Sequence, residues 1–130
     1  CGRCTSSCPA NQTGKKLSPR KIMMDTRDRM EEVGKNIDAN KGVFVPDNKS
    51  LLNDYITPEE LWACTSCNAC VEECPVNISP LSIIMDMRRY LVMEQSAAPM
   101  PLNAMMTNIE NNGAPWQYSQ QDRLNWKNEN

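Results

Sequence analysis

The stretch Cys64-Thr-Ser-Cys67-Asn-Ala-Cys70-Val-Glu-Glu-Cys74-Pro75 decides the reading, because the chain opens on most of the same pattern, Cys1-Gly-Arg-Cys4-Thr-Ser-Ser-Cys8-Pro9. Aligned on their prolines, Cys67, Cys70 and Cys74 match Cys1, Cys4 and Cys8, and the partner of Cys64 falls three positions before Cys1. This cut through the motif sets the expectation that the sequence is a fragment, with any anchor or targeting segment outside it. All seven cysteines of the 130 residues lie in the two runs, and histidine is absent. That absence removes Ser-His-Asp and Cys-His catalysis, haem ligation by His and His-bearing zinc sites. An odd number of cysteines also cannot close into a complete disulfide framework.

Each run is followed by a Ser-Pro pair, a serine cap with proline at the first helical position. Ser18-Pro19 opens a helix expected to reach about Val33, with Ile22, Met23, Met30 and Val33 as its apolar stripe and Gly34 as a left-handed cap. Ser79-Pro80 opens a second, expected to about Gln95, in which Leu81, Ile84, Met85, Arg88, Leu91 and Val92 fit a helical period. Cysteine run plus capped helix is therefore an internal repeat. Between the repeats, Asn36 to Asp54 reads as a loop with at most one extended piece at Val43-Phe44-Val45. Thr57-Pro58-Glu59-Glu60 is a capping box that starts a short helix running into Cys64. Beyond Pro99 and Pro101, a helix through Met105 and Ile109 should stop at Asn111-Asn112-Gly113. A last helix is expected from Ser119 to Trp126, before a frayed polar tail after Lys127.

Thiolates converging on a small volume select zinc, cuprous copper or an iron-sulfur cluster. Two residues between ligands wrap three thiolates around one cubic cluster, and in bacterial two-cluster ferredoxins the fourth cysteine, before the proline, ligates the other cluster. On that pattern Cys64, Cys67 and Cys70 hold one [4Fe-4S] cluster with Cys8, while Cys74 joins Cys1 and Cys4 at the other. With one thiolate short, that second site is expected to be incomplete or to hold [3Fe-4S]. The alternative is a zinc-stapled interaction module, but a zinc site needs four ligands and has no use for the third closely spaced cysteine and the Cys-Pro of both runs. Small residues between the cysteines, Thr5, Ser6, Ser7, Thr65, Ser66, Asn68 and Ala69, let backbone amides approach the sulfurs. Trp62 is placed either to shield the second cluster from water or as ordinary core.

The paired runs, the stretch Leu61-Trp62-Ala63-Cys64-Thr65-Ser66-Cys67 and the helix from Pro80-Leu81 to Arg88-Arg89-Tyr90-Leu91 resemble the alpha-helical ferredoxin domains of the C-type iron-sulfur subunits of heterodisulfide reductase. Relatives of that group serve glycerol-3-phosphate, lactate and glycolate oxidation, and the C-terminal cluster domain of succinate dehydrogenase is a more distant cousin. The resemblance covers roughly residues 1 to 95. It implies an all-α fold with two cluster motifs and pseudo-repeated helices: a dicluster domain over residues 1–98 and a helical extension or linker over 99–130. Pro115-Trp116 through Trp126 is similar to the connection that leads to a CCG-type domain in fused relatives; the alternative is a plain helix packing its two tryptophans. The implied function is electron relay through two [4Fe-4S] clusters within an oxidoreductase, with no catalytic residues of its own. The implied partner is a flavoprotein, a quinone-linked protein or a CCG-type domain.

Composition agrees with a relay and excludes other classes. A net charge of −2 and 23% charged residues fit no nucleic-acid binder and no acidic disordered tail. No Rossmann or phosphate-loop glycine pattern occurs. No apolar run approaches the length of a membrane span, so a membrane anchor is expected only outside this sequence. Residues 1–35 carry eight Lys or Arg against four Asp or Glu. Lys15, Lys16, Arg20, Lys21, Arg27 and Arg29 form either a docking surface or a solvated face interleaved with Asp25, Asp28, Glu31 and Glu32. Met23, Met24, Met85, Met87, Met93, Met105 and Met106 are expected to fill irregular space around the clusters. Free thiolates imply a reducing compartment, hence the cytoplasm or the cytoplasmic face of a membrane complex.

Overall fold

Both Ser-Pro pairs start helices as the sequence requires. The computed structural model describes residues 1–128, so the polar tail expected after Lys127 lies, beyond Asn128, outside the described residues. Seven α-helices follow one another among the described residues: α1 Arg3–Ser6, α2 Pro9–Gln12, α3 Pro19–Ala39, α4 Pro58–Ala63, α5 Ala69–Glu72, α6 Pro80–Arg89 and α7 Met100–Asn112. There is no strand among them, only an isolated bridge between Leu52 and Ile56. The fold class is all-α.

The chain divides into two compact units, one of Cys1–Tyr90 and one beginning at Leu91. In the first, Ser18 Oγ accepts the Lys21 amide at 3.3 Å and Ser79 Oγ accepts the Ser82 amide at 3.2 Å, which caps α3 and α6. These two helices pack on each other, α1 packs on α5, and α1 and α5 in turn pack on α3 and α6. Ile22, Ile56, Leu61, Ile84, Pro19 and Pro80 are fully buried between them. Each buried aliphatic side chain contributes about 2 kcal/mol. Thr57 completes the expected capping box: its hydroxyl accepts the Glu60 amide, and the Glu60 carboxylate accepts the Thr57 amide at 2.8 Å.

Three expectations are corrected. Gly34 does not end α3, which continues to Ala39; the stop comes where Asn40, Lys41 (φ 56°) and Gly42 (φ 89°) leave the helical region and the Gly42 amide returns to Ile37 O. Met30 is 69% exposed, and the buried position beside it is Arg29. The guanidinium is stable there because Asp47 takes it in a two-pronged bond at 2.5 and 2.8 Å and Lys49 O accepts a third bond at 2.8 Å. Residues 36–39 belong to α3, and Val43, Phe44 and Val45 form no strand. Asn36 pins this segment instead, accepting from the Val45 amide and donating to Val45 O. A wide turn at Leu51–Tyr55, with Asn53 at φ 82°, then returns the chain to α4.

A wide helical turn over Tyr90–Glu94 begins on the last residue of the first unit, and in the second unit α7 follows it and ends at Gly113 as its sequence requires. Gly113 is left-handed at φ 64°, and a Cβ there would sit 2.7 Å from the Gln120 side-chain amide. Ser119 caps a 3₁₀ segment over Gln120–Lys127. Trp116 and Trp126 are both exposed, so a terminal helix packing its two tryptophans is not what forms.

Candidate functional site

The two cysteine runs fold alike, residue for residue. Gly2 (φ 106°) and Asn68 (φ 67°) occupy matching left-handed positions that a side chain other than Asn or Asp rarely adopts. Each begins a one-turn helix. The Thr5 and Ser6 amides donate to Gly2 O, and the Val71 and Glu72 amides donate to Asn68 O, all at 3.0–3.1 Å. The run then closes with Cys8 N to Thr5 O at 3.2 Å and Cys74 N to Val71 O at 3.1 Å. Small residues are needed because the turn is this tight.

Burial differs among the thiols, and matched positions agree only at the first of each set. Cys1 and Cys67, first in each matched set, are exposed; Cys8 and Cys70 are buried; Cys4, Cys64 and Cys74 lie between. Cys1 and Cys4 of the first run line a cavity of about 420 Å³ together with Cys70 and Cys74 of the second. Met23 and Met24 from α3, with Pro75, Val76 and Ile78, supply its apolar wall. Burial pushes the Cys70 thiol up, and Cys64, Cys67 and Cys8 push it further, which puts Cys8 in the neighbourhood of the second run. Cys74 therefore shares a cavity with Cys1 and Cys4, Cys70 shares it too, and Cys8 lies close enough to Cys70 to act on its thiol.

The surroundings favour thiolate at the exposed end of the second run. The Ala69 amide and the Thr65 hydroxyl hold the Cys67 thiol below its usual range. The Ser66 amide donates to Cys64 Sγ at 3.4 Å, and the Ile78 amide to Cys74 Sγ at 3.2 Å. Such amide-to-sulfur bonds tune an iron-sulfur centre. Among the described residues no three Cys, Asp or Glu side chains are drawn close enough for one metal ion. The thiols of the first site line a space wider than an ion, and soft sulfur donors around such a space fit an iron-sulfur cluster.

Other side chains take places the sequence left open. Met23, Met24 and Met85 are half-buried and Met87 is buried, whereas Met93 and Met106 are exposed and fill no space. The basic stretch is largely neutralised within the fold: Lys21 pairs with Asp25 and Glu60, Arg27 with Asp28 and Glu31, and Arg29 with Asp47 and Glu32. Burial pushes the Glu60 carboxyl up, but the Thr57 amide and the Lys21 ammonium outweigh it and leave it below its usual value. Trp62 is half-buried, with the Arg88 guanidinium 4.9 Å above its ring. The sequence gives no sign of that contact, because Arg88 falls within an otherwise apolar helical period. No described helix is long and apolar enough to cross a membrane.

Comparison with known proteins agrees with this geometry. Residues 1–78 match the family described as 4Fe-4S dicluster domain. The chain is 35% identical to the probable iron-sulfur-binding oxidoreductase FadF of Bacillus subtilis, over 99% of its own length and 22% of that protein. It is 35% identical to the EtfAB:quinone oxidoreductase of Syntrophomonas wolfei, over 99% of its length and 21% of the relative. It is also 35% identical to the C-type subunit of the ferredoxin/F(420)H(2)-dependent CoB-CoM heterodisulfide reductase of Methanosarcina acetivorans, over 76% of its length and 47% of that relative. The chain thus spans about a fifth of the first two relatives and about half of the third. No solved structure matches significantly.

Proposed function

The chain belongs to the 4Fe-4S dicluster domain family, and from that premise we propose that its seven cysteines form two interlocked ligand sets. Cys64, Cys67, Cys70 and Cys8 hold one cluster; Cys1, Cys4 and Cys74 hold the other. The cofactors are two [4Fe-4S] clusters, and the function is electron transfer in an oxidoreductase. What supports the ligand assignment is that Cys74 lines one cavity with Cys1 and Cys4, Cys70 standing at the same wall, and that Cys8 acts on the Cys70 thiol. The clusters supply the redox chemistry; the chain fixes their spacing, their access to water and their hydrogen bonds.

Residues 1–98 are the dicluster domain in this reading, and residues 99–130 an extension toward a following domain. The partner is a redox protein or domain, a flavoprotein, a quinone-linked protein or a CCG-type domain, of which the quinone in one relative's name supports the second; the reducing surroundings that free thiolates need put the chain in the cytoplasm or at the cytoplasmic face of a membrane. Anaerobic reconstitution with iron and sulfide tests the reading. The expected product is brown, bleaches with dithionite and carries sulfide in step with iron. A colourless protein that takes up zinc in preference overturns it.

A further inference from the structure

Arg88 stands far along α6, yet its side chain serves the second cysteine run. Nε and Nη2 donate to Leu61 O at 3.1 and 2.6 Å, and Nη2 also donates to Cys64 O at 2.6 Å. Nη1 reaches Ser66 Oγ at 3.4 Å. The guanidinium lies over Trp62. Leu61 O and Cys64 O are at the C-terminal end of α4, where the carbonyls carry the negative end of the helix dipole; the Cys64 amide also donates to Leu61 O, at 3.4 Å. One cation therefore caps α4, holds the direction in which Cys64 leaves it, and touches Ser66, whose own amide donates to Cys64 Sγ.

We propose that Arg88 is a positioning residue that sets the reduction potential of the cluster held by Cys64, Cys67, Cys70 and Cys8. This rests on the ligand assignment above. Reduction adds one electron's charge at that cluster, so a fixed positive charge beside Cys64 stabilises the reduced form more than the oxidised form. The groups that Arg88 contacts are uncharged: two carbonyls, a hydroxyl and an indole. Arg29, by contrast, is neutralised by carboxylates.

The test is a potentiometric titration of the full chain followed by electron paramagnetic resonance, with iron and sulfide counted on every sample. The signal belonging to the second run is the one lost in Cys67→Ser. Arg88→Gln should weaken reduction of that cluster about tenfold, the size of one charge removed from a partly screened site, and leave the other cluster's potential where it was. Arg88→Lys, which keeps the charge but not the planar fork, should hold a potential near the parent's while losing iron faster. An unchanged potential in Arg88→Gln overturns the proposal. If Arg88→Gln loads no cluster, Arg88→Lys decides: a potential near the parent's supports the role, whereas a shifted potential or failure to load reduces Arg88 to a structural brace. A parent chain that binds no iron would instead sink the underlying ligand assignment, and the iron count separates the two failures.

Discussion

In the first half of the dicluster domain the buried guanidinium is Arg29, and it finds acids: Asp47 at two points, Glu32 at 3.3 Å, and Lys49 O behind them. In the second half Arg88 finds carbonyls and an indole. The first arrangement ties the long segment after α3 back onto the helix and cancels its charge in doing so. The second ties a helix end to a cysteine run and keeps its charge close to the thiols. The cysteine turns themselves are the same in both halves, down to the left-handed Gly2 and Asn68. Under the proposed ligand assignment, equal turns in unequal settings let one repeated motif hold two clusters of different potential.

The largest expected effect is on the crossing of the two runs. Changing Cys74 to Ser should abolish or convert the cluster held by Cys1 and Cys4 and spare the one held by Cys64, Cys67 and Cys70, with Cys8→Ser doing the reverse. Electron paramagnetic resonance of the two single variants decides it; a Cys74 change felt only by the second run's cluster would contradict the crossing.

A smaller difference should appear in iron retention. In the 130-residue chain the set of Cys1, Cys4 and Cys74 has three thiols against four for the other, and Cys1 is exposed. Oxidation in air should draw iron first from that site, passing through a three-iron signal. Simultaneous loss from both clusters would show that the halves are not unequal in this way.

The matched turns can be tested by exchange. Gly2→Ala forces a Cβ into φ 106° and should cost about 1–2 kcal/mol, read as a lowered thermal midpoint of the reconstituted protein. Asn68→Gly should be nearly neutral, since φ 67° is open to both residues. Equal effects at the two positions would mean the turns are less alike than their hydrogen bonds indicate.

The smallest effect concerns the acid side of the first half. Hydrogen bonding to Arg29 holds the Asp47 carboxyl down, at about 2 against an ordinary 3.8. A depressed carboxyl pKa contributes stability that is complete above its unfolded value and is lost as the pH falls through its folded one. Asp47→Asn should therefore remove part of the fall in stability between about pH 4 and pH 2, measured by denaturant unfolding, while leaving the slope at neutral pH unchanged. An Asp47→Asn profile that overlays the parent's would show that the ion pair is not felt.

Most of the fold was legible because its signals are local. Serine before proline, threonine three residues before glutamate, and glycine after Asn111-Asn112 each satisfy backbone groups within a few residues, so Ser18, Thr57, Ser79 and Gly113 act where the sequence put them. The repeat was legible for the same reason: spacing alone dictates the turn that carries Cys1 and Cys4, or Cys67 and Cys70. Gly34 misled because glycine ends a helix only where a left-handed turn can close, and that closure came at Lys41 and Gly42, with the segment pinned by Asn36.

Helices, caps, the doubled cysteine turn and the thiolate chemistry could all be read along the chain, because each depends on residues close together in it. Which charges are cancelled and which are kept could not. Arg29 and Asp47 are 18 residues apart and Arg88 and Leu61 27, and nothing in local spacing says that one guanidinium will meet a carboxylate and the other the carbonyls of a helix end. That choice is made when α3 packs on α6 and fixes which carboxylate or carbonyl each long side chain can reach.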